Sequence, residues 1–94
     1  MRTLRIGHRC GWVEQGGTVY AARLPDGPPL VLDGSGAVVW AALVDGGTLE
    51  DVVARVAAAT GESAQVVAAG VEGFVDGLLA AGVLDATTAA ADER

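Results

Sequence analysis

At 94 residues the chain holds one domain and no more, and with 51% hydrophobic residues it has the material for a packed core. A net charge of −6, with arginine as the only strong cation and no lysine, leaves no cationic face of the kind that non-specific nucleic-acid binding or an anionic membrane surface demands. A single cysteine, Cys10, excludes an internal disulfide framework, and neither a signal peptide nor a membrane-length apolar run is visible, so the expectation is a small cytoplasmic domain. The aromatic residues are Trp12, Tyr20, Trp40 and Phe74, so the core must be built mainly from valine, leucine and alanine.

In chain order, strands are expected first. Leu4 and Ile6 alternate with Arg5, and Gly11–Glu14 is a second apolar patch. The glycine pair of "EQGGT" suits the positive φ values of a tight hairpin leading into "TVYAARL", Thr18–Leu24. "PDGPP" reads as a turn in which Pro25 presets φ, Asp26 bonds back to the backbone and Gly27 takes the strained position. Leu30, Val31 and Leu32 form a short strand, and the prolines before it lack N–H donors, which places it at an edge.

Helices follow. Trp40, Leu43 and Val44 are spaced for a first helix near Ser35–Val44, with Asp33 or Ser35 as its cap and Gly34 relieving a sharp entry. Thr48 opens "TLED", a capping-box-like start for a second helix that buries Leu49, Val52, Val53 and Val56 and stops at Gly61. Ser63 caps a third helix with Val67, Val71, Phe74 and Leu78 as its stripe, Val75 and Leu79 beside it, and Gly82 at its end. "VLD" docks the end, and residues 86–94 read as a flexible C-terminal tail beyond a single domain of residues 1–85. Strands followed by helices give an α+β class: a small N-terminal antiparallel three-stranded sheet, then three helices.

No catalytic constellation emerges. Ser35 between Gly34 and Gly36 lacks the G-x-S-x-G elbow, and His8 is the only histidine. A Walker loop needs a lysine, and a carrier-type serine needs an aspartate directly before it; Ser35 has neither. His8 and Cys10 are too few for a zinc site, so no metal and no cofactor are expected. Glu72 and Asp76 lie one turn apart on the solvated side of the third helix. Gly70, Gly73 and Gly77 recur along that helix, each costing about 1 kcal/mol relative to alanine, and close approach of another backbone would account for them.

The order of these elements resembles the PqqD-like proteins, the precursor-peptide recognition elements of ribosomally made, post-translationally modified peptide pathways. The resemblance rests on Leu32-Asp33, Ser35-Gly36, Trp40, Asp45-Gly46, Thr48 and Gly82-Val83-Leu84, and covers roughly Val19 to Asp85. It departs from the family pattern at Asp33, usually Asn; at Gly70-Val71, commonly Asp-Val; and at Ala81, commonly Arg.

The resemblance implies a winged-helix-like, non-enzymatic domain, a peptide chaperone that binds a precursor's leader segment by strand addition and presents it to a modifying enzyme. That enzyme would be a radical SAM enzyme, a cyclase or a leader protease. The residues expected to bind the peptide are Leu30, Val31 and Leu32 on the strand, and Val67, Gly70, Gly73, Phe74 and Gly77 on the third helix. The rival readings are a subunit-contact domain of an enzyme complex, a winged-helix DNA binder, which the acidic third helix opposes, and a carrier protein. The exposed edge also allows a strand-exchanged dimer in place of a monomer.

Overall fold

The structure, a computed structural model, describes residues 2–88. In chain order it contains β1 (Arg2–Ile6), β2 (Cys10–Gln15), β3 (Thr18–Arg23), β4 (Leu30–Leu32), α1 (Ser35–Val44), β5 (Gly47–Thr48), α2 (Leu49–Thr60), α3 (Ala64–Ala81) and β6 (Leu84–Thr88). The expected α+β arrangement is present: an antiparallel sheet ordered β2-β3-β4, followed by the three helices. Its register runs Val13↔Tyr20↔Val31 and Glu14↔Val19↔Leu32, and β4 is an edge strand.

A second sheet, ordered β5-β1-β6, was not expected. β1 pairs on one side with Gly47 and Thr48 and on the other with β6, with Ile6 opposite Leu84 and Leu4 opposite Ala86. Residues Ala86–Thr88, expected in the tail, therefore belong to a strand; residues 89–94 lie outside the described ones. The reason is tertiary. The segment has too little alternation to announce a strand, but Leu84 is buried beside a wholly buried Leu4, and threonine suits a pleated surface.

One core gathers both sheets and all three helices. Trp40, Leu43, Leu4, Val52, Val75 and Val83 are each no more than 1% exposed. Trp12 meets Trp40 edge to face at 5.7 Å, so the β2-β3 hairpin is held onto α1 by its own aromatic residue. By length and composition alone α3 would suffice to cross a membrane; here Val71, Val75 and Leu78 are in the core, and Glu72 and Asp76 stand exposed at its middle.

The helix ends and the turn between β3 and β4 follow local chemistry with two differences. Thr48 and Asp51 form a full capping box: the Asp51 N–H donates to Thr48 Oγ1 at 3.1 Å, and the Thr48 N–H donates to Asp51 Oδ2 at 3.0 Å. These hydrogen bonds hold the Asp51 carboxyl below its ordinary pKa, so its stabilising contribution is complete at neutral pH and is lost as the pH falls through that lowered value. Thr48→Ala is expected to lower stability by about 1 kcal/mol in urea denaturation, with Thr48→Ser retaining most of it. At α1, neither Asp33 nor Ser35 caps with its side chain; Gly34 is itself the cap residue, at φ 55°, where a side chain would be strained. Gly27 likewise differs: it does not adopt positive φ, but a Cβ there would lie 2.6 Å from the Arg23 carbonyl oxygen, so the turn needs glycine for closeness.

Candidate functional site

A groove of about 280 Å³ opens between the start of α1 and the outer part of α3. Gly36, Val38 and Val39 line one wall and Val66, Val67, Gly70, Val71 and Phe74 the other, with Thr60 and Glu62 closing one end. The α3 stripe explains why an apolar groove survives. Val71, Val75 and Leu78 are fully buried, whereas Val67 and Phe74, one step round the helix, are only half-buried. Val66 is 65% exposed at the rim, an apolar residue that no part of the described chain covers.

The groove meets the sheet at Gly36. A Cβ at that position would sit 3.4 Å from the Phe74 ring and 3.7 Å from Leu32 Cβ, so the end of β4 and the aromatic residue of α3 converge over a glycine. Any larger side chain there would crowd the ring. β4 alternates in the manner of a strand with one buried face: Leu32 is buried, Leu30 half-buried and Val31 60% exposed. Because among the described residues β4 pairs only with β3, part of its backbone N–H and C=O inventory points away from the sheet.

Of the eight residues expected from sequence, Val67, Gly70 and Phe74 line the groove, and Leu32, like Phe74, lies next to Gly36 where the groove reaches β4. Leu30 and Val31 lie on the same edge strand. Gly73 and Gly77 do not line it: like Gly70 they are exposed, and a Cβ on any of the three would have nothing within 4 Å. Packing against the domain's own sheet therefore does not account for these glycines. Gly73→Ala and Gly77→Ala are each expected to stabilise the domain by about 0.5–1 kcal/mol in urea denaturation, since they restore helix propensity without a clash. Sequence reasoning did not single out Val66, Val38 or Gly36; their signal, apolar or small residues at the helix starts facing a valine-rich stripe, appears only when α1 and α3 are brought together.

The titratable groups near the sheets do other work. Cys10 is half-buried, and burial raises its thiol pKa, which opposes reactivity. His8 Nδ1 lies 3.3 Å from Asp85 Oδ2, and this side-chain hydrogen bond is the main cause holding the Asp85 carboxyl below its ordinary pKa. Arg55 donates from Nη1 to the Ala42 carbonyl at 2.8 Å and also to that of Gly46, satisfying carbonyls at the end of α1. Ser35 sits on the groove's rim with no histidine or lysine beside it.

The family model described as coenzyme PQQ synthesis protein D (PqqD) matches residues 25–84, from the turn before β4 through the end of α3 to the first residue of β6. No curated protein and no solved structure matched the chain.

Proposed function

This chain belongs to the PqqD family, and from that premise we propose that it binds the leader segment of a ribosomal precursor peptide by strand addition along β4. The family is a non-catalytic recognition element that binds precursor peptides and associates with modifying enzymes in pathways of ribosomally made, modified peptides. The observation that carries the finer reading is the junction at Gly36. There an edge strand and an apolar groove floored by Phe74 adjoin, so one extended peptide would pair its backbone with β4 and seat alternate side chains against α3. Backbone bonds supply sequence-tolerant affinity, and the groove selects an apolar residue.

Presentation to the enzyme needs a second surface, and the far side of the sheet supports one. Val13, Tyr20 and Val31 form a cross-strand row, each between 41% and 61% exposed, flanked by Gly11 and Ala22 with no charged residue in the row. This row leaves the groove free, so enzyme and leader need not compete. The modifying enzyme is then a radical SAM enzyme, a cyclase or a leader protease, and the domain contributes no catalytic group of its own.

The test is a fluorescence-anisotropy titration of the full chain against labelled leader segments of ribosomal precursor peptides. Saturable binding that a scrambled leader does not reproduce is the expected result; equal binding of both peptides contradicts the reading.

A further inference from the structure

Glu62 is the one charged residue among those that line the groove; the others are valine, glycine, phenylalanine, serine and threonine. It stands at the α2–α3 end, past Val67 and Val66 as seen from Phe74. Among the described residues no arginine or histidine lies within 4 Å of its carboxylate.

The turn that carries Glu62 is fixed from both sides. Gly61 ends α2 in the left-handed conformation, at φ 77°. The Glu62 N–H donates to Thr60 Oγ1 at 3.3 Å, and that hydroxyl donates to the Val56 carbonyl at 2.9 Å. Ser63 caps α3, its Oγ accepting from the Val66 N–H at 3.3 Å. The Thr60 hydroxyl is thus engaged within the turn, and the charged acceptor at this end of the groove is Glu62.

The elements around the groove do not neutralise that charge. α1 carries no charged residue, and α3 carries only Glu72 and Asp76. Arg55 of α2 is engaged at the far end of α1, on the carbonyls of Ala42 and Gly46, whereas the groove opens at the start of α1. An unpaired carboxylate at the end of an apolar trough, in a chain of net charge −6, favours a cation carried on an apolar stem. Lysine and arginine have that build: the stem would lie on Val66 and Val67, with the charged head beside Glu62.

The groove also supplies the reach, because Phe74 and Glu62 line the same trough. From Ala64 to Phe74 α3 rises about 15 Å, which an extended chain spans in four to five residues, and in fewer where a long side chain bridges part of the way. Resting on the strand-addition reading above, we propose that Glu62 makes the groove selective for a guest peptide with a lysine or arginine within four residues of the apolar residue seated on Phe74. Backbone pairing and an apolar contact tolerate a slip of two residues along β4, which keeps the same face inward; a charge contact at the far end of the groove picks one register.

The test is a random twelve-residue peptide library selected against the full chain and against the Glu62→Lys variant, with amide spectra of the chain recorded on the best binder. The unmodified chain is expected to select lysine or arginine within four residues of an apolar residue, and Glu62→Lys to select aspartate or glutamate there. Glu62→Gln is expected to weaken the best binder about three- to fivefold, a difference that narrows as salt is raised. Glu72→Gln makes the same charge change outside this groove and is expected to leave affinity unchanged. The basic preference is read with the unmodified chain alone, so it does not depend on how well a variant folds. Peptides that shift the amide signals of Leu30–Leu32 but show no basic preference overturn the proposal and leave strand addition intact. A basic preference that persists in Glu62→Lys, or an equal loss in Glu72→Gln, also overturns it, since the overall charge of the chain then accounts for the preference. Binders that leave the β4 signals unmoved overturn strand addition and this proposal together.

Discussion

Trp40→Ala is expected to destabilise the domain by about 3–5 kcal/mol, the largest effect of any single truncation in this core. Trp40 is 1% exposed, is the largest side chain in the core, and carries the edge-to-face contact that attaches the β2-β3 hairpin to α1. Its indole N–H finds no acceptor among the described residues, so packing alone holds the residue in place. Domains of this size have about 5–15 kcal/mol in total, and a core poor in aromatic residues has little with which to compensate. Urea denaturation followed by circular dichroism checks this: a midpoint close to that of the unmodified protein would show that the hairpin and helices cohere without Trp40.

Phe74→Ala has its largest effect elsewhere. Phe74 is only half-buried, its ring lies beside Gly36, and it lines the groove, so its truncation removes contact surface from the guest more than from the core. We expect leader affinity to fall about 30-fold, in the range of an anchoring aromatic residue, with a stability loss well below that of Trp40→Ala. Anisotropy titration and urea denaturation of the same variant separate the two effects. If affinity is unchanged while stability falls, Phe74 is a core residue and the groove is not where the leader binds.

The contrast between these residues shows what could be read without coordinates. The helices were legible because their punctuation is local: Thr48 with Asp51, Gly61, Ser63 and Gly82 lie at the ends of α2 and α3 as expected. The edge position of β4 was legible for the same kind of reason, since prolines precede it. The pairing of β1 with β6 was not, because it joins residues about eighty positions apart and neither strand carries a strong period. Gly34 at α1 misled in a smaller way: a side-chain cap was the expected device, and the backbone met the need by itself.

The candidate surface divides along the same line. Val67, Gly70 and Phe74 were legible as one side of a helix, and Leu30–Leu32 as an edge. The other wall of the groove was hidden, because Gly36 and Val38 become neighbours of α3 only through packing. Gly73 and Gly77 satisfied the same spacing argument as Gly70 yet fall outside the groove, since helical periodicity locates a side of the helix but not what stands opposite it.

Strand addition at β4 is the central claim, and backbone amide spectra recorded during a titration of the full chain with its leader peptide test it most directly. The account predicts that the signals of Leu30, Val31 and Leu32 move together with those of Val67, Gly70 and Phe74, and that the β4 amides gain protection from hydrogen exchange on saturation. Saturable binding that leaves Leu30–Leu32 unshifted and unprotected would contradict it.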